Sequence, residues 1–347
     1  MNQILITGAN GWLGKRLTRL IAQREIDPGV LSNLPADISL RCLILPGEDP
    51  EQLRGLGAQV LAGDVRNAAD CAAFCADAGG AILIHTAGVI HPQRVKDFYD
   101  INVGGTRNIL NAARSAGIKR VVVVSSNSPV GVNRSTTELF DESSEYRPYM
   151  NYGRSKMQAE LLVKQFQKES EMECVIVRPP WFYGPDQPAR QTLFFTMIKE
   201  GKAPIVGSGN NLRSMAYIDN LSEGLLLAAY VQRAAGQTYW IADRHPYSMN
   251  EIIDTVEKLL EQEFKLTVAH KRMRLPNIAS EVGFLADNLL QSIGLYNQKI
   301  HVLSEMNKTI ACSIAKAEAE LGYRPRISLE EGMRRSLAFC VQHGIKI

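Results

Sequence analysis

The chain has 347 residues, 45% hydrophobic, 22% charged and 7% aromatic, enough for about two domains with packed cores. This balance excludes a disordered chain, and Gly 27 with Cys 6 excludes collagen-like and disulfide-scaffold chains. Lys+Arg 39 against Asp+Glu 36 leaves a net charge of +3, spread along the chain except at Lys271, Arg272 and Arg274, so no nucleic-acid role is expected.

Ile4–Thr7 reads as a short buried strand, not a leader peptide. Glycines follow, then an amphipathic run from Trp12 to about Arg24, then a predicted loop from Glu25 to Ser39. Further strands are predicted at Leu40–Leu45, Gln59–Ala62, Ala81–His85, Arg120–Ser125 and Cys174–Arg178. Helices are predicted over Pro92–Ala116 and Asn151–Glu169. Apolar strands separated by helices imply a parallel sheet covered on both faces, a doubly wound α/β domain over residues 1–179. Residues 180–347 read as a smaller, mostly helical substrate-binding domain with short strands near Met215–Ile218 and Gln237–Ala242, and with segments expected to return to the main sheet. No stretch reaches the roughly 18 apolar residues of a membrane span. Cys42, Cys71, Cys75, Cys174, Cys312 and Cys340 include no C-x-x-C pair, and Cys71 and Cys75 lack nearby histidines, so no metal site is expected. A reducing, cytoplasmic setting is the expectation.

The first strand runs into Thr7-Gly8-Ala9-Asn10-Gly11-Trp12-Leu13-Gly14. Gly8 permits the tight turn, Gly11 lets the backbone approach a pyrophosphate, and Gly14 lets the helix pack on the strand. The helix opening at Trp12 and Leu13 offers free N–H groups and a positive dipole end to phosphates. Gly63-Asp64-Val65 closes the third strand, where a carboxylate can accept from an adenine amine or cap the next helix. His85-Thr86-Ala87-Gly88 ends the fourth strand with small residues that suit close passage of a ribose.

Tyr152 and Lys156 are four apart at the start of a helix and share a face. A phenol titrates near 10; a neighbouring ammonium stabilises the phenolate and fits it for proton transfer at neutral pH. Ser125 and Ser126 end the fifth strand, on the rim where ligands bind in such sheets.

With these pieces in order, the chain resembles the extended short-chain dehydrogenases/reductases, the NAD-dependent epimerase/dehydratase family. The resemblance rests on T-G-A-N-G-W-L-G (7–14), G-D-V (63–65), H-T-A-G (85–88), N-V-G-G-T (102–106), V-V-S-S (123–126), Y-G-R-S-K (152–156), R-P-P-W-F-Y-G-P (178–185), R-S-M-A-Y-I-D-N (213–220) and L-G-Y-R-P (321–325). It implies a Rossmann domain, a catalytic acid/base at Tyr152, and a Lys156 that lowers its pKa and binds the nicotinamide ribose. It makes Ser126 the catalytic serine, counted back from Gly131. Asn102 would hold the cofactor and the site geometry, and the backbone near Pro179 would meet the nicotinamide amide. Gly8, Gly11, Trp12, Leu13, Gly14, Asp64, Val65, Ala87, Gly88 and Ser125 complete the expected cofactor contacts. A homodimer through the helices around 92–116 and 151–169 is implied as well.

The second strand ends in Ile44-Leu45-Pro46, with neither the acid that marks NAD nor the base that marks NADP. Glu48 and Asp49 follow and would repel a 2′-phosphate, so NAD is expected ahead of NADP. Where sugar dehydratases carry an Asp-Glu pair this chain has Asn127 and Ser128, and where epimerases carry an Asn it has Trp181. Trp181 and Phe182 read as an aromatic wall, with Asn127 and Arg213 as further substrate contacts. Pro276–Gly294 has apolar residues near helical spacing. A cap helix packed on the core is its first expectation, a cover over an apolar pocket or a membrane-surface contact the others. Among relatives, the 3β-hydroxysteroid dehydrogenase branch is most similar. The expected activity is hydride transfer between a nicotinamide cofactor and an apolar, sterol-like or alicyclic secondary alcohol or ketone. The alternatives are a nucleotide-sugar epimerase with tightly held NAD, favoured by Arg213, and a non-catalytic redox-sensing protein.

Overall fold

A computed structural model describes residues 2–347. Its central sheet is built from β1 (Gln3–Thr7), β2 (Ser39–Ile44), β3 (Gln59–Ala62), β4 (Ile82–His85), β5 (Arg120–Val124), β6 (Glu173–Arg178) and β7 (Thr238–Trp240). The seven strands are parallel, in the order β7-β6-β5-β4-β1-β2-β3. The chain runs outward from β1 through β2 and β3, then crosses back to β4 on the other side of β1. That reversal opens a crevice beyond the strand ends between β1 and β4.

The strands are apolar throughout because both faces are covered. Ile4 and Ile6 join one core with Leu17, Leu20 and Ile21 of α1 (Trp12–Gln23). Leu5 faces the opposite core with Phe74 of α2 (Ala68–Cys75), Ile109 and Leu110 of α3 (Thr106–Ser115), and Val163 of α4 (Met150–Glu169). The sequence beyond residue 179 contributes to this sheet too: α5 (Ile218–Tyr230) is almost wholly buried against it, and β7 pairs with β6. A third core lies in the cap, where Phe195, Ile198, Ile252, Val256 and Leu337 meet.

Three local expectations change. The segment between α1 and β2 contains a one-turn helix, Pro28–Leu31, capped by the Asp27 side chain. The helix expected from Pro92 starts at Val95 and passes through a π-helical stretch, Phe98–Gly105, before α3. The third concerns α6 (Ile278–Ser292), which does not pack by its apolar face. Its polar residues Ser280, Asp287 and Gln291 are buried, while Ile278, Val282, Leu285 and Leu289 face outward. The reason is polar pairing inside: Asp287 meets His301 of α7 (Gln298–Glu305) at 2.7 Å, and Ser280 Oγ donates to the Leu303 carbonyl. The six cysteines are buried and free. Among the described residues no helix is long and apolar enough to cross a membrane.

Candidate active site

The glycine loop joins β1 to α1 at the crevice. Gly8 has φ +66°, and a Cβ there would stand 2.8 Å from the Ala87 nitrogen. A Cβ at Gly14 would collide with the Gly8 carbonyl oxygen and lie 2.7 Å from Ala9 Cα. The loop and helix can lie this close only without side chains. Gly11 caps α1 with no side-chain hydrogen bond, and the first turn, with Leu13 buried in it, has no acid. Its N–H groups and the dipole's positive end are left for an anion, so the cradle fits a dinucleotide pyrophosphate.

The rim continues this fit. Asp64 accepts from Arg66 Nε at 2.8 Å, which holds its carboxyl below the usual range, and Val65 is packed against Gly105. Glu48 folds back over the end of β2, its Oε2 accepting from Leu45 N at 2.9 Å. Arg41 lies at the other end of that strand and is engaged with Gln59 and the Phe74 and Ala76 carbonyls. His85 is bound to Thr7 at 2.7 Å and Thr106 at 3.1 Å, and burial pushes its imidazole down to about 3. It is a neutral core residue.

The π-helical turn places Asn102, 1% exposed, across from the β4 loop. Its Oδ1 accepts from Val89 N at 2.9 Å and its Nδ2 donates to the Val89 carbonyl and to Ser155 Oγ. One amide thus ties the β4 loop to the helix that carries Tyr152. Gly153 of α4 packs on the loop after β5: a Cβ there would lie 2.5 Å from the Ser128 carbonyl. That contact sets the first turn of α4, with Tyr152, against the loop that carries Ser126. Ser126 is in turn 3.3 Å from both Asn127 Oδ1 and Ser128 Oγ.

Lys156 lies one turn further along α4. Its Nζ donates to the Val124 carbonyl at 3.1 Å and would lie 3.2 Å from a Cβ at Gly88. Burial pushes its ammonium down to about 8, with Glu160 acting against that. Burial likewise pushes the Tyr152 phenol up to about 12, opposed by the hydrogen bond with Ser126. Burial is the larger influence on both groups. The Ser125 hydroxyl donates to Glu160 at 2.6 Å, within a buried network where Arg178 pairs with Glu160 at 2.6 and 3.0 Å.

Trp181 and Phe182 have separate ring neighbours. Trp181 meets Phe194, rings 5.7 Å apart, against the cap core. Phe182 leans on Trp12 at 4.9 Å, and Trp12 donates to the Pro185 carbonyl at 2.7 Å. The pair clamps the stretch after Pro179 onto α1. Arg213 points into the cap, donating to the Glu305 carbonyl. The aromatic rings beside Tyr152 are instead Phe98, at 5.7 Å, and Tyr296, which stands edge-on to Phe98 at 5.3 Å. Tyr296 also bonds His91 at 2.7 Å and faces His301.

A sequence model of the NAD dependent epimerase/dehydratase family matches residues 4–242. The chain belongs to this family. It is 52% identical over 98% of its length, and 96% of the relative's, to the uncharacterized protein y4nL of Sinorhizobium fredii. It is 26% identical to an N-acetyl-alpha-D-glucosaminyl-diphospho-ditrans,octacis-undecaprenol 4-epimerase of Escherichia coli O157:H7, covering 99% of this chain and 97% of that one. A 3-beta-hydroxysteroid dehydrogenase of Mycolicibacterium neoaurum is 28% identical, with 98% and 91% covered. The fold is shared with gox2253, at a TM-score of 0.78, 23% identity and full coverage of both chains. It is shared too with DesIV, a dTDP-glucose 4,6-dehydratase of Streptomyces venezuelae solved with NAD, at 0.74 and 23%, covering 98% and 97%.

The structure also brings Glu160, His91, Tyr296, His301 and Glu305 into the surroundings of the site, none of them singled out by the sequence. Glu160 had a signal, because it lies one helical turn past Lys156 on the same face. The others come from separate loops and helices, and no local pattern links them to Tyr152.

Proposed function

We propose that this family member transfers a hydride between a nicotinamide cofactor and the secondary alcohol or ketone of an apolar, sterol-like or alicyclic substrate. The observation that carries the reading is the buried Tyr152 phenol packed with Phe98 and Tyr296, with Lys156 and Asn102 converging on Gly88. Gly8, Gly11, Gly14, Asp64, Val65, Ala87 and Gly88 would hold the dinucleotide, with Lys156 and Asn102 at its nicotinamide ribose and the Pro179 backbone near its amide. When bound, that cofactor supplies or accepts the hydride and brings a positive ring in its oxidised form.

Tyr152 takes the proton from the alcohol, or returns it to the ketone, through its phenolic oxygen. Ser126 holds the same substrate oxygen by its Oγ. Lys156 places a positive charge at the Gly88 corner, and Glu160 keeps that charge on it. The Phe98 and Tyr296 rings exclude water and favour an apolar ring system. The diphosphate-sugar epimerase reading has a full-length relative in its favour, but Arg213, its expected phosphate anchor, is held by the Glu305 carbonyl.

Turnover tests the reading. With NAD present, a panel of alicyclic and sterol-like secondary alcohols is expected to yield reduced nicotinamide in proportion to ketone; cofactor binding with no reduction across the panel contradicts it. The Glu48 carboxylate folded at the end of β2 disfavours a 2′-phosphate. NAD is therefore expected to bind about tenfold or more tighter than NADP by calorimetry, a preference that Glu48→Arg narrows. Tighter binding of NADP would refute this account of cofactor choice.

A further inference from the structure

The outer face of α6 has no partner among the described residues. Ile278, Val282, Leu285, Leu289 and Ile293 form one stripe, each 59–68% exposed. Met273 and Leu295 extend it at either end, both exposed. The helix is inside out for a protein in water alone, with its amide and carboxyl side chains turned inward to Asn151 and His301. Exposed apolar stripes of this kind mark contact surfaces.

Both ends of the stripe are basic. Lys271 and Arg274 precede it and are exposed, while Arg272 is taken up by Asp254 and Glu257. At the far end Arg94 is 73% exposed beside Gly294 and Leu295, with Asp97 no nearer than 3.9 Å, and Lys299 follows in the first turn of α7. The acid on the flank, Glu281, is paired with Lys308.

We infer that α6 docks on an anionic lipid bilayer, lying in the interface plane with its stripe in the acyl boundary and its flanking cations on the headgroups. An apolar stripe bordered by cations is the pattern of interfacial helices. A second copy of the chain suits the surface less well. A 15-residue helix offers a stripe about 22 Å long and about 10 Å wide, roughly 220 Å², against on the order of 800 Å² per partner in a stable dimer. Either two-fold arrangement of the helices also sets cations against cations. The inference concerns the surface alone and is independent of the reaction proposed above. It has a geometric consequence: Gln291 of α6 accepts from Asn151, next to Tyr152, so the docked helix holds the start of the catalytic helix near the bilayer.

The test is co-sedimentation of the full chain with vesicles of phosphatidylcholine plus phosphatidylglycerol, and of phosphatidylcholine alone. Sedimentation is expected with the anionic vesicles, reduced several-fold by high salt or by the neutral vesicles. The triple variant Val282→Ser, Leu285→Ser, Leu289→Ser should lower binding at least about tenfold while keeping the wild-type circular dichroism. Should that variant unfold, Leu285→Trp decides: its emission shifts to the blue with anionic vesicles. A wild-type chain that stays in the supernatant, a folded triple variant that binds undiminished, or a Leu285→Trp emission unmoved by vesicles overturns the inference. So does a dimer in vesicle-free solution that the triple variant dissociates, which would assign the stripe to a second copy.

Discussion

Tyr152→Phe is expected to lower turnover about a hundred- to ten-thousandfold, the range for losing a general acid/base, while NAD affinity stays within a few-fold of wild type. The phenol is the one acidic hydroxyl placed against Ser126 beside the Phe98 and Tyr296 rings. The substitution removes one oxygen and leaves those rings in contact. The glycine loop, Asp64 and Lys156 do not touch that oxygen, which is why binding survives. Because burial holds the phenol at about 12, oxidation of an alcohol should speed up with rising pH, and the plateau should fall below that value to the extent that Lys156 and the cofactor's positive ring stabilise the phenolate. Turnover of the variant near the wild-type rate, measured in single-turnover mixing, would remove Tyr152 from the chemistry.

Glu160→Ala should be the most damaging substitution for stability. Glu160 and Arg178 are each 1% exposed in their side chains, and Glu160 also accepts from Ser125 at 2.6 Å and Tyr146 at 2.7 Å. Removing the carboxylate strands a buried guanidinium and two hydroxyls, a loss of about 3–5 kcal/mol. For a chain of this size that lowers the melting temperature by on the order of 10 °C. Adding Arg178→Met removes the stranded charge and should recover part of the loss, giving strong non-additivity in a double-mutant cycle. Equal melting of Glu160→Ala and wild type would show that the pair is not stabilising. The effect reaches the site because Ser125 adjoins Ser126, Arg178 precedes Pro179, and Glu160 supports the charge on Lys156.

The sheet was legible because its signals are local. Strands buried on both faces read as short apolar runs such as Arg120–Val124, and the glycine spacing at Gly8, Gly11 and Gly14 is imposed by contacts within one strand–helix joint. The expectation for Tyr152 and Ser126 came from motif order. The Val124 and Gly88 contacts of Lys156 depend on how α4 meets β5 and carry no local signal. Trp181 and Phe182 read as a wall, yet strand alternation sends one to the cap core and the other to Trp12. The face of α6 was misread because apolar periodicity marks a stripe without saying which side of the helix the protein occupies. Only the long-range pairs Asp287–His301 and Gln291–Asn151 fix that. Tyr296 and His91 are 205 residues apart and meet through tertiary structure alone.

The most direct test of the central claim, exchangeable nicotinamide-linked oxidation or reduction at Tyr152, is the nucleotide content of the protein. The chain is purified without added nucleotide, denatured, and the released material identified. The account predicts little or no bound nucleotide, followed by reversible binding of added NAD. Stoichiometric NAD that survives purification and does not exchange would contradict it and point to an epimerase that returns its hydride to the substrate.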